Sequence, residues 1–267
     1  MDASAIPVTF DPIGKCFRRG AKIIPGLLSL LKDRFYKHHS YTKATLNVTA
    51  SDLTEYQQRQ AKKRITKVNS REKGQATGVQ LDKEITKTVD VFLQFPHLGT
   101  STFADKKALE KAALPPWAKE ECKDLLKQTH AFWTAITALK LVPVETQAIV
   151  VDCYKGQHEY ATAVDVVCIS KHGEYAVIEV KSGFSGYYDR CTKNRMAAPL
   201  NTHTDSYRNQ HQIQLAANLQ MYQKKHPDRE VSRCFILHIE GSQVSRYNLK
   251  PWAKAVKSWP KLLFHKQ

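Results

Sequence analysis

The stretch that most narrows what this chain can fold into is Tyr160-Ala-Thr-Ala-Val-Asp165-Val-Val-Cys-Ile-Ser-Lys-His-Gly-Glu-Tyr-Ala-Val-Ile-Glu179-Val-Lys181-Ser-Gly. Two runs rich in β-branched and aromatic residues, 160–169 and 174–181, flank the polar connection Ser-Lys-His-Gly. That arrangement reads as an antiparallel hairpin with a short loop. With the turn centred near His172, Asp165 and Glu179 stand equally far from it and fall opposite each other, which places their Cβ atoms about 4.5–5.5 Å apart. Strand alternation puts Tyr175, Val177, Glu179 and Lys181 on one face. Ala176, Ile178 and Val180 share the other, wholly apolar face, which is expected to be the core side.

Two carboxylates held that close repel unless a cation lies between them, and two hard oxygen ligands with room for water are what Mg²⁺ accepts. Lys181, two residues beyond Glu179, then has the place and charge to orient a water or to stabilise a phosphate in its transition state. The competing reading is the solvated face of an ordinary surface hairpin. The rest of the chain has to decide between them.

Asp165, thirteen intervening residues and then Glu179-Val-Lys181 resemble the D…(D/E)-x-K core of the PD-(D/E)XK nuclease superfamily. The resemblance implies an α/β fold with a restriction-endonuclease-like core, a central mixed β-sheet flanked by helices. It implies metal-dependent hydrolysis of phosphodiester bonds, with Mg²⁺ or Mn²⁺ held by Asp165, Glu179 and the Val180 carbonyl, and with Lys181 positioning the attacking water.

Three further segments, the Gly78 helix, the Glu145 strand and the Gln214 helix, resemble in chain order the RecB-like branch that includes the lambda-type exonucleases. Gly74 and Gly78 lie four apart in Lys73-Gly-Gln-Ala-Thr-Gly-Val-Gln-Leu-Asp82, a predicted helix whose spacing continues through Ile85, Val89 and Phe92. Where that branch carries His four residues after Gly, this chain has Asp82, a candidate ligand or a surface residue. Glu145 opens a predicted strand over 144–152 and matches a further acidic position near the metal. Beyond Lys181, the aromatic and basic connection 182–195, with Tyr187 and Arg190, suits unpaired nucleotides, and a solvated loop has the same composition. Finally, Thr204-Asp205 opens a helix on which Tyr207, Gln210 and Gln214 share a polar stripe. Gln214 matches the family's Gln, expected to orient Lys181 or substrate; Gln210 is the alternative register, and Asn218 stands where the family carries Tyr.

Charge agrees with a polyanionic partner. The 267 residues carry 41 Lys and Arg against 25 Asp and Glu, a net charge of +16. Nucleic acid is the first expectation, DNA with single strands or duplex ends, and an anionic membrane surface the second. From Arg59 to Lys73 there are seven basic residues and one acid, including Lys62, Lys63 and Arg64. This segment reads as a phosphate-binding helix, a nuclear-import signal or a solvated face. No run approaches the roughly 18–20 apolar residues of a membrane span; Ile23 to Leu31 is short and broken by Pro25-Gly26. The six cysteines show no Cys-x-x-Cys spacing and fit a reducing, intracellular compartment.

The expected organisation is a basic N-terminal extension over 1–50, irregular apart from one helix after Pro25, and a nuclease domain over 51–267. A single packing helix is expected over 117–139, a buried strand over 233–239, and a closing Trp-bearing helix from Arg246 onward. Two other readings stay open: an endonuclease of the same superfamily, and a catalytically silent DNA-binding module.

Overall fold

The computed structural model describes residues 6–11, 16–36, 76–183, 188 and 193–264. The basic segment 59–73 with Lys62, Lys63 and Arg64, and the loop residues Tyr187 and Arg190, lie outside the described residues.

Where an irregular arm was expected, three short antiparallel strands form a meander: β1 (Val8–Asp11), β2 (Cys16–Arg19) and β3 (Lys22–Ile24). Phe10 pairs directly with Phe17, their ring centroids 5.2 Å apart, and Gly20 takes the left-handed backbone (φ 59°) that the turn into β3 requires. Helix α1 (Leu27–Phe35) follows Pro25-Gly26 as expected and buries Leu27, Leu31 and Phe35, which lie four apart on one stripe. Three of the basic residues here have acidic partners. Arg18 bonds Asp11 at 3.0 Å, and Arg19 and Lys22 reach Glu159 at 2.6 and 2.9 Å. The segment therefore lies on the main body.

The helix predicted around Asp82 is α2, residues 76–94. It is followed by α3 (Thr100–Ala104), α4 (Lys106–Lys111), α5 (Pro116–Glu121) and α6 (Lys127–Ala138). The single helix expected over 117–139 is thus two helices. Asp124, at φ 51°, breaks the run, and the buried Glu84 carboxylate receives the Leu126 N–H at 2.8 Å and the Thr129 hydroxyl at 2.6 Å, capping the new start.

The chain then builds one five-stranded sheet, ordered β4-β5-β6-β7-β8. Its strands are β4 (Leu141–Tyr154), β5 (His158–Ser170), β6 (Tyr175–Ser182), β7 (Val231–Glu240) and β8 (Gln243–Asn248). All neighbours are antiparallel except β6 and β7, which run parallel because the long helix α7 (Tyr207–Lys225) crosses over between them. The chain closes on β8 and two short helices, α8 (Pro251–Lys254) and α9 (Trp259–Phe264), in place of the one helix expected from Arg246. The protein is thus an α/β fold with a mixed sheet flanked by helices on both faces.

That layering corrects the one-sided reading of β6. Ala176, Ile178 and Val180 pack beneath α2 and α6, whereas Val177 packs beneath α7 and α1, so both faces of this central strand are buried. On the α2 side Trp133 is fully buried, lies 4.7 Å from the Phe103 ring centroid, and donates its indole N–H to Thr88 Oγ1 at 3.0 Å. Trp133→Ala is expected to cost about 3–5 kcal/mol of stability in urea unfolding, through the cavity it leaves and the loss of the indole hydrogen bond.

Candidate active site

The register of the hairpin places the two carboxylates. β5 and β6 pair Val167 with Val177 and Val166 with Ile178, and the backbone ladder stops there. The next pair would be Asp165 with Glu179. Instead of a ladder bond, the Val180 N–H donates to Asp165 Oδ2 at 2.8 Å, so the acidic side chain occupies the gap where the strands part. β6 meanwhile keeps its register with β7, Glu179 opposite Ile236 and Lys181 opposite His238.

Exposure separates the three roles. The Glu179 side chain is 1% exposed, whereas Asp165 and Lys181, at 16% and 22%, are partly open to solvent. The Lys181 ammonium donates to Glu179 Oε1 and stands 4.0 Å from Asp165 Oδ2. Burial, and then the charge of Asp165, push the Glu179 carboxyl up to about 8 against the pull of Lys181. Asp165 is raised by burial and restrained by Lys181 and the Val180 N–H. Burial works to lower Lys181, but the charges of Glu179 and Asp165 outweigh it and hold the ammonium above its ordinary value.

Asp82 reaches the same cleft from α2. A Cβ on Gly78 would stand 3.0 Å from the Ser182 hydroxyl, so the bare glycine lets the first turns of α2 lie against the end of β6. Asp82 follows one turn later on the same helix face. It meets solvent on one side while the cleft walls crowd the other, and its carboxyl is pushed up to about 7 by that crowding and by Asp165, with Lys181 opposing. Solvent access tempers this shift.

Helix α7 supplies the opposite wall, in a different register from the one expected. Gln210 turns away: its carboxamide bonds Asp205 at 2.7 Å, and its carbonyl accepts from the Tyr36 hydroxyl at 2.9 Å. Gln212 faces β8 and accepts the Lys250 N–H at 2.7 Å, a structural tie. The row at helical spacing is Tyr207, His211, Gln214 and Asn218. Gln214 is 7% exposed with its Oε1 buried and unpartnered; it makes no bond to Lys181. Asn218, fully buried, donates to Glu179 Oε2 at 3.1 Å. Sequence reasoning passed over Asn218 as a departure from the family pattern, and over His211 and Thr162 altogether. The four-residue step from Gln214 was the available signal for Asn218.

His211 and His238 flank the Lys181 end of the cleft. The Tyr188 ring stacks on both, with centroids 5.5 and 4.4 Å away. Burial, with the charges of Lys181, His238 and Lys32, lowers His211 well below its ordinary value, so it is a neutral imidazole.

Glu145 is not brought to the cleft. The register of β4 slips between Pro143 and Glu145, which pairs Glu145 with Val167, two residues from the level of Asp165 and on the strand beyond β5. Its carboxylate is held by Arg229 at 3.3 Å at the far end of α7, where Arg229 also bonds the Tyr222 hydroxyl. A cavity of about 560 Å³ also lies elsewhere, lined by Asp152, Tyr160, Lys224 and Trp259 between α7, the β4–β5 hairpin and the C-terminal helices.

Among the described residues, no three Asp, Glu, His or Cys side chains converge closely enough to enclose an ion by themselves. The donors do fit Mg²⁺ or Mn²⁺, which are commonly held by one or two carboxylates while waters and substrate oxygens complete the shell. In an extended residue the carbonyl points to the same side as the N–H, so the Val180 carbonyl also faces the gap that holds Asp165. No helix among the described residues is long and apolar enough to cross a membrane.

No family model matches the chain, and no curated protein matches it. Among solved structures, one described as the crystal structure of SSO0001 is 15% identical and aligns over 64% of this chain and 65% of that one, with a TM-score of 0.29. The chain thus spans about two thirds of that protein, and a likeness at this level carries no argument about what either does.

Proposed function

We propose that this protein is a Mg²⁺- or Mn²⁺-dependent nuclease of the PD-(D/E)XK superfamily, in its RecB-like branch, acting on DNA from ends or on single strands. The observation that carries the reading is the meeting of Asp165, Glu179 and Lys181 at the point where β5 and β6 part. Asp82 across the cleft and the net charge of +16 agree with it.

In this reading Asp165, Glu179 and the Val180 carbonyl would hold the metal, and Asp82 would add an oxygen from α2. The metal, when bound, supplies Lewis acidity to the scissile phosphate. Lys181 keeps a fixed positive charge at the mouth, where it orients the attacking water and balances charge gathering on the phosphate oxygens. Glu145 has no part, because Arg229 holds it elsewhere.

The test compares end-labelled linear, nicked and covalently closed duplexes and a single strand of one sequence, each with Mg²⁺ and with a chelator. Gradual loss of nucleotides from linear or single-stranded DNA, dependent on metal, is the expected result. Rapid linearisation of the closed circle makes the protein an endonuclease. Binding without cleavage of any substrate makes it a silent DNA-binding module and removes the nuclease reading.

A further inference from the structure

We propose that Asn218, held in turn by Thr162, is the positioning residue for the Glu179 carboxylate. The carboxamide is fully buried and is engaged at both ends: Nδ2 donates to Glu179 Oε2 at 3.1 Å, and Oδ1 accepts from Thr162 Oγ1 at 2.9 Å. Thr162 is itself buried and stands three residues before Asp165 on β5. The relay therefore runs from the strand bearing one acidic residue, through α7, to the acidic residue on the neighbouring strand.

Its direction follows from the hydrogen bonds: Lys181 donates to Oε1, the amide nitrogen donates to Oε2, and the amide oxygen is left for a donor. A carboxylate that ligates a metal only accepts hydrogen bonds, so this orientation suits the ligating form. The Thr162 hydroxyl is that donor, and it opposes a flip that would set the amide oxygen against the carboxylate. Glu179 Oε1 is meanwhile taken by Lys181 and Oε2 by Asn218, from two different elements. With one donor on each oxygen, the carboxylate plane has one orientation toward the cleft. A residue present only to fill space would more cheaply be apolar, because a buried carboxamide without partners carries a desolvation penalty. Second-layer residues that orient a ligating carboxylate commonly matter by about 10–100-fold in metal affinity or rate.

The series Thr162→Ser, Thr162→Val and Asn218→Leu tests this in protein labelled with ¹⁵N at asparagine. The wild-type Asn218 side-chain amide is expected to exchange slowly with water. Thr162→Ser keeps that protection, and Thr162→Val speeds exchange. Calorimetry should show Mg²⁺ and Mn²⁺ affinity falling about 10–100-fold in Thr162→Val and Asn218→Leu, and staying near wild type in Thr162→Ser. A merely structural role would move the unfolding midpoint and leave metal affinity alone. Unchanged amide exchange and unchanged metal affinity in Thr162→Val overturn the relay, even where Asn218→Leu fails to fold.

The relay rests on the proposed metal-dependent nuclease reading for its effects on metal affinity and on catalysis, a fall in kcat with KM for DNA little changed; the amide-exchange readout does not rest on it. If exchange and affinity respond while the wild type cuts neither DNA nor RNA, the relay stands and the nuclease reading falls. If the wild type cuts and Thr162→Val cuts and binds metal equally well, the reverse holds.

Discussion

Lys181→Met is expected to lower kcat for metal-dependent DNA cleavage by about 100- to 1,000-fold, the usual cost of removing one charge that stabilises a transition state. Methionine keeps most of the aliphatic stem, so packing at the mouth of the cleft is largely retained. The loss should fall on kcat, with DNA affinity close to wild type, because the lysine lies beside the reacting phosphate rather than along the basic surface. Circular dichroism, a binding titration and single-turnover cleavage of one labelled duplex separate the possibilities. Wild-type turnover by Lys181→Met would remove this residue, and with it the present assignment of the cleft.

Metal-free protein should lose stability as pH rises, and the metal should reverse that trend. Glu179 stands at about 8 in the folded state, well above its ordinary value of about 4.3. Between those values the native state keeps a proton that the unfolded chain releases. Native protein thus binds more protons than unfolded protein, and stability falls as pH climbs through the window, levelling above about 8. Asp82, at about 7, contributes in the same direction but less, since it meets solvent.

Asp165 is likewise raised by burial, and its charge helps raise Glu179. Asp165→Asn keeps an oxygen for the Val180 N–H and removes the charge. It should flatten the pH slope and raise the urea midpoint of metal-free protein near pH 8, while abolishing cleavage. Ligating carboxylates must be deprotonated, so metal affinity rises with pH. Mg²⁺ at about 100 times its dissociation constant should add about 2.7 kcal/mol to the wild type and much less to Asp165→Asn. Equal stabilisation of both proteins by Mg²⁺ would place the ion somewhere other than this cleft.

Much of the site is written locally. Asp165 and Glu179 lie symmetrically about a four-residue loop, and a hairpin register counted outward from its turn depends on little else; the ladder of Val167 with Val177 and Val166 with Ile178 keeps that count. The helical step from Gly78 to Asp82 is local in the same sense, since any α-helix puts the two on one face. Strand and helix periods also located the helix that crosses between β6 and β7.

What the sequence could not determine is which neighbour stands against each face. Both faces of β6 are buried because α2 and α6 arrive from one side and α1 and α7 from the other, and no pattern within β6 names them. Glu145 looked equivalent to the cleft acids until a slip in β4 and the distant Arg229 took it away. Asn218 looked like a departure until the fold set it between Thr162 and Glu179, partners 56 and 39 residues away in the chain. Periodicity is a property of neighbouring dihedral angles and travels with the chain. The pairing of buried polar groups depends on the layered packing that brings distant segments together, and there only the tertiary structure decides.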